Sequence, residues 1–277
     1  MKWILNKLRG LRNRWAEATS ETFPEYPYGT HFSARYRLRR FLAPKYGYFP
    51  AYVQAASGTQ HFLSNDPIDN NVLEEMLGDL NDIYFPKLPD SVKEELNRSG
   101  VVLDIGAYNG FWSAEMLVRH PAAKAILIEP NPIKCRSIAK TMRANGMTSK
   151  ARIIAAGLAE SSSHGWLVQS EEGSWGDWLQ KSELPRPDAA TEVHTRTLCE
   201  ALSGAQPVIV KCNAEGAEYE FVRQLLALNL RPKLMVMMAH PEHGDVNQLR
   251  VTLAMADYKV TVVRDSLHRP IWHVELV

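Results

Sequence analysis

From Val101 onward the chain alternates short, continuous apolar runs with stretches of helical periodicity. Such runs are typical of strands that are buried on both faces, and helical connections between them predict a parallel sheet. In order, the runs are VVLDIG, AILIEP, RIIAAGLA, PVIVKC and KLMVMMAH. The pattern predicts a doubly wound α/β sheet with helices on both faces, a fold in which ligands bind beyond the carboxyl ends of the strands.

Two further runs, YKVTVVRD and IWHVELV, follow and are joined by a short connection that contains proline. The short connection predicts an antiparallel hairpin at the end of the sheet, which gives seven mostly parallel strands in total. A segment rich in Ser, Gly and Trp separates the third and fourth runs, and we expect a loop or small hairpin there. Its tryptophans, Trp166, Trp175 and Trp178, either stack on a sugar or pack the hairpin. Trp175 is the substrate-binding candidate among them.

Residues 1–100 differ from residues 101–277, and we expect them to form a helical, basic extension or lid on the sheet domain. Met1 to Lys45 contain ten Lys and Arg against three Glu, a balance of +7. Because the net charge of the whole chain is +1, the remaining residues carry a net charge of −6. Ile4, Leu8, Leu11 and Trp15 lie at helical spacing among basic residues, which predicts an amphipathic helix. Three roles remain open for it: contact with a membrane surface or anionic ligand, packing on the acidic body, and an arm in a homo-oligomer.

Composition narrows the class of protein. The 277 residues contain no run of about eighteen apolar residues that could span a membrane. The first residues lack the apolar stretch and cleavage site of a secretory signal, so we expect a cytoplasmic protein. Arginines are interleaved with aromatic residues in ARYRLRRFLAPKYGYFPAY, a pattern that can clamp nucleic acid. The balanced total charge nevertheless argues against a dedicated nucleic-acid binder.

The first strand of the sheet ends in a glycine loop, LDIGAYNGFWS. Gly106 and Gly110 allow a tight turn and a close approach to a ligand, and Asp104 places a carboxylate at the strand tip. A dinucleotide-binding loop would need a third glycine where Tyr108 stands. The next strand ends in LIEPNP, where Glu129 is placed to accept hydrogen bonds from both hydroxyls of a ribose. An acidic residue after each strand, without a phosphate-binding loop, indicates S-adenosylmethionine.

A third group of polar residues follows the strand VIVKC, in the sequence NAEGAE. We expect Asn213, Glu215 and Glu218 to be polar because they meet ligands at the carboxyl end of this strand, with Gly216 letting the backbone pass close to the substrate. The alternative is a helix N-terminus that collects acids to suit its dipole, and we prefer that interpretation for Glu220.

These motifs together resemble the FkbM-type methyltransferases, which belong to the class I S-adenosylmethionine-dependent fold. The resemblance covers Val101 to His240 and is most specific where the glycine loop is combined with EGAE. It implies O-methylation of a hydroxyl on a small molecule, sugar or secondary metabolite. It also implies a cofactor site made of Asp104, Gly106, Ala107, Tyr108, Asn109, Gly110, Glu129, Pro130, Asn131, Ala155, Ala156 and Gly157.

The chain departs from the family pattern at Asn213, where aspartate is usual. An amide is a poor ligand for a divalent ion and cannot accept the proton of a hydroxyl acceptor, so we expect metal-independent catalysis. His240, at the end of the fifth strand, is the candidate base, with a pKa near 6–7. Glu215 and Asn213 are the other catalytic candidates.

Three functions remain open at this level. The first is a small-molecule or glycan O-methyltransferase. The second is a nucleic-acid methyltransferase that uses the basic N-terminal segment. The third is a non-catalytic cofactor-binding or interaction protein, which the lost acidic residues would allow.

Overall fold

The structure is a computed structural model that describes residues 39, 41–43, 45–170, 176–181, 183–265 and 269–277. The predicted amphipathic helix near the N-terminus and the substrate-binding candidate Trp175 lie outside these residues.

The strands and helices are numbered separately, each in chain order. The strands are β1 Ala51–Gln54, β2 Gln60–Leu63, β3 Val101–Ile105, β4 Lys124–Ile128, β5 Ala151–Ile154, β6 Gly157–Leu158, β7 His164–Val168, β8 Trp178–Lys181, β9 Ala190–Arg196, β10 Pro207–Cys212, β11 Leu234–Met238, β12 Tyr258–Arg264 and β13 Ile271–Leu276. The helices are α1 Ile68–Leu77, α2 Asn81–Tyr84, α3 Asp90–Asn97, α4 Phe111–Arg119, α5 Pro132–Ala144, α6 Leu198–Leu202, α7 Ala217–Ala227 and α8 Val246–Met255.

The central sheet has seven strands in the order β12-β13-β11-β10-β3-β4-β5. Neighbouring strands are parallel from β11 through β10, β3 and β4 to β5, whereas β13 pairs antiparallel with both β11 and β12. This confirms the predicted doubly wound sheet and its terminal hairpin. The chain order reverses between β3 and β10, and ligands bind at such a switch point.

Two hydrophobic clusters cover the faces of the sheet. One contains residues of α4 and α5, and the other contains residues of α6, α7 and α8. Every residue of β10 is buried, including Lys211. A lysine in a fully buried strand needs a partner for its charge, and its partners lie at the site described below.

The region before β3 was predicted to be helical, but it also contains the antiparallel pair β1 and β2. This pair lies against α5: the main-chain N–H of Phe62 donates to the Thr141 hydroxyl over 3.0 Å, and Asn145 donates to the carbonyl of Gln60 over 2.7 Å. Buried residues of β1, β2, α1 and α3 belong to the same hydrophobic cluster as those of α4 and α5. The segment therefore shares its core with the sheet domain.

The sequence between β5 and β10 forms a second sheet in the order β6-β9-β7-β8. Strands β7 and β8 are antiparallel, which agrees with the small hairpin expected there. Trp166 lies in β7 and Trp178 in β8. Among the described residues, no helix has the length and apolar character needed to cross a membrane.

Candidate active site

A cleft with an empty volume of about 1110 Å³ opens at the carboxyl ends of β3, β4, β10 and β11. Residues of α1, α2 and the second sheet also line the cleft. The cleft is therefore at the switch point of the sheet, where this fold places its ligands.

The loop after β3 crosses the turn after β10 at Gly106. Gly106 has a φ of +69°, and a Cβ atom there would lie 1.9 Å from the carbonyl oxygen of Asn213. Only glycine satisfies both the left-handed backbone and this close approach. Gly106 and Ala107 also donate their N–H groups to the carbonyl of Ile128, so the loop is held against the end of β4.

Glu129 lines the cleft directly after β4. Its carboxylate accepts the N–H of Tyr108 over 2.7 Å and the N–H of Asn131 over 2.8 Å. Burial raises the pKa of Glu129 to about 7, and these two main-chain donors together with Lys211 and Lys134 act in the opposite direction. A carboxylate oxygen accepts more than one hydrogen bond, so Glu129 retains capacity for the hydroxyls of a ribose.

Asp104 was predicted to contact the cofactor, but its side chain is fully buried beneath the glycine loop. It accepts a hydrogen bond from Ser113 over 2.8 Å and lies 3.1 Å from the ammonium of Lys211. Lys211 also donates to the carbonyl of Gly106 and lines the cleft. Asp104 therefore holds Lys211, and Lys211 is a site residue that the sequence did not identify.

The end of the cleft beside β4 is largely apolar. It is lined by Ile128, Pro130, Gly157, Leu158, Leu167 and Leu179, with Asp177 as its ionisable member besides Glu129. An apolar slot of this kind suits a planar base. Leu158, Leu167, Leu179 and Asp177 were not predicted, because the three leucines come from the second sheet and Asp177 directly precedes its strand β8.

Several predicted cofactor residues lie outside the cleft lining. Ala155 is exposed and Ala156 is buried, so Gly157 is the member of this group that reaches the cleft. Asn131 instead caps α5 by accepting the N–H groups of Ile133 and Lys134. Asn109 is fully buried, and Gly110 begins α4 with a φ of +73°. These residues shape the loops that carry the site.

The other end of the cleft is polar and combines the turn after β10 with the helices before β3. Asn213 and Glu215 line it, together with Glu75 from α1 and Tyr84 from α2. The Tyr84 hydroxyl faces the amide of Asn213, and burial raises its pKa. Asn213 Oδ1 is buried with no partner among the described residues. A buried acceptor of this kind requires a donor from outside the described residues.

Glu215 is held in an unusual main-chain conformation, with a φ of +43°. Its carboxylate lies 3.2 Å from Nε2 of His240 and 3.3 Å from the guanidinium of Arg269. A non-glycine residue in this region costs about 1–3 kcal/mol, and such residues concentrate at functional sites. Glu215 and Glu75 are the carboxylates that line the polar end of the cleft, and Glu215 is the one in contact with His240.

His240 was expected to face the acceptor with a pKa near 6–7, and the structure differs on both counts. Its side chain is fully buried, behind Glu215, and does not line the cleft. Nδ1 lies 2.9 Å from Glu218 and Nε2 lies 3.2 Å from Glu215. Burial alone would lower the pKa of His240, but the hydrogen bonds and charges of Glu215 and Glu218 raise it to about 9. An imidazolium between two carboxylates orients Glu215 and cannot accept a proton at neutral pH.

Glu218 and Gly216, predicted to bind substrate, also serve this buried arrangement. Glu218 is fully buried and accepts the N–H groups of Gly216 and His240 over 2.9 and 2.8 Å. Gly216 has a φ of +99°, and a Cβ atom there would lie 2.7 Å from the ring of His243. Both residues lie outside the cleft lining.

One cluster beside the cleft has the donor set of a metal site. Glu215, Glu242 and His243 place their ligand atoms within 4.8 Å of one another. The guanidinium of Arg269 contacts both carboxylates, at 3.3 Å from Glu215 and 3.0 Å from Glu242. Arg269 thus places a positive charge beside these two carboxylates.

The pKa of His240 predicts how stability depends on pH. The folded value, about 9, exceeds the ordinary value of 6.5, so the contribution of His240 is complete below pH 6.5 and is lost as the pH rises through 9. The loss is on the order of 3 kcal/mol of unfolding free energy. Urea denaturation of the wild type and His240→Gln across this range would measure it. Equal pH dependence in the two proteins would contradict the imidazolium assignment.

The residues that line the cleft fit S-adenosylmethionine. They offer an apolar slot for the base, the Glu129 carboxylate for the ribose and an unpaired acceptor on Asn213. Four carboxylates line the cleft, from Glu75, Glu129, Asp177 and Glu215, against Lys211 alone among the cationic side chains that the structure describes there. Glu75 and Glu215 are paired with arginines, whereas Glu129 and Asp177 have no arginine partner among the described residues. These two carboxylates favour a cationic sulfonium over a pyrophosphate.

Solved structures similar to this chain include several methyltransferases. TrmK of M. capricolum, solved with S-adenosylhomocysteine, is 10% identical, with 68% of this chain and 66% of that chain covered and a TM-score of 0.39. An O-methyltransferase family protein from Burkholderia thailandensis is 12% identical, with 74% and 58% covered and a TM-score of 0.41. Sp1610 of Streptococcus pneumoniae, solved with S-adenosyl-L-methionine, is 14% identical, with 68% and 71% covered and a TM-score of 0.40.

Among curated proteins, none is similar enough in sequence to match this chain. The family model described as the methyltransferase FkbM domain matches residues 104–260, from the glycine loop into β12. This match covers more than half of the 277 residues and includes both motifs on which the resemblance rested. The chain therefore belongs to the FkbM methyltransferase domain family, and its expected cofactor is S-adenosylmethionine.

Proposed function

We propose that this protein transfers a methyl group from S-adenosylmethionine to a hydroxyl of a small molecule or sugar. The observation that carries the proposal is the polar end of the cleft, where Glu215 faces the space beside Asn213 and Tyr84. This end offers a carboxylate to accept a proton and neutral groups to orient a hydroxyl.

The chain supplies positioning and one proton acceptor. S-adenosylmethionine, when bound, supplies the methyl group, with its S–CH₃ bond breaking as the O–CH₃ bond forms. Asn213 and Tyr84 orient the acceptor hydroxyl, and the Glu215 carboxylate takes its proton. His240 and Arg269 hold that carboxylate in place through their contacts of 3.2 and 3.3 Å. Such positioning supplies much of the rate of an in-line displacement.

Charge favours a hydroxyl acceptor over a nucleic acid. The carboxylates at the polar end are paired with guanidiniums, Glu75 with Arg264 at 3.4 Å and Glu215 with Arg269 at 3.3 Å. Phosphate backbones are bound chiefly by lysine and arginine side chains that are available to them. The residues lining this cleft favour a neutral, hydroxyl-bearing acceptor.

The direct test is methyl transfer from labelled S-adenosylmethionine to a panel of sugars, hydroxylated small molecules, RNA and DNA, with EDTA present throughout. We expect turnover on a hydroxyl acceptor that EDTA does not reduce. Methylation of RNA or DNA alone would reject the acceptor class. Activity that requires magnesium would reject the metal-free mechanism.

A second test addresses the cofactor. We expect S-adenosylmethionine and S-adenosylhomocysteine to bind, and NAD not to bind, in calorimetry. Glu129→Ala should weaken binding by about 1.5–3 kcal/mol, because it removes charge-assisted hydrogen bonds to the ribose. Glu129→Gln keeps one acceptor oxygen and should fall between the wild type and Glu129→Ala. Undiminished affinity in Glu129→Ala would remove this residue from the ribose site.

A further inference from the structure

Tyr108 occupies a main-chain conformation that an aromatic residue adopts rarely. It lies in the glycine loop between Gly106 and Gly110 and has a φ of +54°. Because a Cβ atom destabilises the left-handed region, the surrounding structure must hold Tyr108 there. Its side chain shows how it is held.

Three charged residues anchor that side chain. The Tyr108 hydroxyl donates to Oδ1 of Asp69 over 2.8 Å. The ammonium of Lys134, 3.9 Å from the centre of the Tyr108 ring, pairs with the same Asp69 oxygen at 2.7 Å and with Asp66 at 3.0 Å. Asp69 and Lys134 are almost completely buried. The anchor therefore joins the segment before β3, which carries Asp66 and Asp69, to α5 and the glycine loop.

The main chain of Tyr108 makes the connection to the cofactor site. Its N–H donates to Oε2 of Glu129 over 2.7 Å, and Glu129 is the ribose-binding carboxylate of the proposed function. We propose that Asp69 and Lys134 are positioning residues for the cofactor, because they fix Tyr108 and thereby the carboxylate of Glu129. The inference rests on the proposed function, and neither residue has to touch the cofactor.

The Glu129 carboxylate gives this role a measurable signature. The charged and titratable groups that face it are Lys211 from β10, Lys134 and Cys135 from α5, and Asp177 from the residue before β8. Burial raises the pKa of Glu129 to about 7, while the Tyr108 N–H lowers it. Ribose hydroxyls donate to the ionised carboxylate, so affinity for the cofactor should rise as the pH rises through this value. If Tyr108 shifts away from Glu129, the carboxylate loses the N–H that lowers its pKa. The midpoint of the pH dependence of cofactor affinity should then move to higher pH.

The experiment measures the affinity of the full chain for S-adenosylhomocysteine as a function of pH, in the wild type and three variants. Tyr108→Phe removes the hydroxyl that contacts Asp69 and leaves no buried charge unpaired. Lys134→Met removes the cation, but it strands two carboxylates and can prevent folding, so Tyr108→Phe is the deciding variant. Thr141→Val is the matched control: it breaks another contact between α5 and the same segment, 3.0 Å from the N–H of Phe62.

We expect Tyr108→Phe to bind about tenfold more weakly, the scale of one hydrogen bond to a charged group, with its midpoint at higher pH. Thr141→Val should lose stability but keep the affinity and midpoint of the wild type. Wild-type affinity and midpoint in Tyr108→Phe would overturn the inference. So would an equal loss in Thr141→Val, since the contacts would then only hold the segment in place. A wild type that does not bind S-adenosylhomocysteine would instead overturn the proposed function, and the inference with it.

Discussion

Gly106→Ala should abolish cofactor binding and destabilise the fold by at least about 4 kcal/mol, a size reserved for severe local disruption. The physical reason is that the added Cβ would lie 1.9 Å from the carbonyl oxygen of Asn213 and 2.8 Å from its carbon. Neither neighbour is the end of a flexible side chain, so the loops after β3 and β10 must separate. These two loops carry Tyr108, Asn213 and Glu215 into the cleft.

Gly204→Ala is a matched control for this effect. Gly204 also has a positive φ, +84°, but a Cβ atom there would meet nothing within 4 Å. The free energy of unfolding of Gly204→Ala should fall by only about 1–2 kcal/mol, the cost of a side chain in the left-handed region. Its cofactor affinity should equal that of the wild type. Chemical denaturation and calorimetry with S-adenosylhomocysteine measure both quantities. If the two variants behaved alike, the close approach of the loops would be unimportant.

Glu215→Gln should lower kcat by about 10²–10⁴, the usual contribution of a general base. The amide keeps the shape of the side chain but cannot take the proton of the acceptor hydroxyl. Affinity for S-adenosylhomocysteine should change little, because Glu215 lies at the end of the cleft away from Glu129. Single-turnover methyl transfer, measured with saturating cofactor, separates the two effects.

Glu242→Gln is the control for the loss of charge at this position. Glu242 contacts the same guanidinium, at 3.0 Å from Arg269, but it is exposed and lies outside the cleft lining. It should retain turnover close to the wild type. Comparable losses in both variants would show that Arg269 needs both carboxylates for structural reasons and that the proton acceptor is another group.

Local sequence was sufficient for the central sheet. The runs around β3, β4, β10 and β11 are apolar throughout, because a parallel sheet covered on both faces buries every position. The short proline-containing connection before β13 likewise allowed only an antiparallel return. The structure agrees with both predictions. The two strands β1 and β2 were missed, since strands of four residues carry little periodicity.

The sequence also located the loops of the site. A glycine at a close approach is a local signal, and it identified Gly106. A polar or acidic residue after a buried strand is a second local signal, and it identified Glu129, Asn213 and Glu215 as cleft residues. The family resemblance rested on the same motifs, and the match over residues 104–260 confirms it.

Only the tertiary structure decided which side chains reach the cleft and in which ionisation state. Asp104 and His240 sit at strand ends, as expected, but each is fully buried and paired, Asp104 with Lys211 and His240 with two glutamates. The charge of a buried group depends on partners that are distant in sequence, 107 positions away for Asp104 and Lys211 by their residue numbers. Tyr84 and Asp177 enter the cleft from separate segments for the same reason. Motifs report the local backbone, whereas burial and pairing arise only when distant segments pack together.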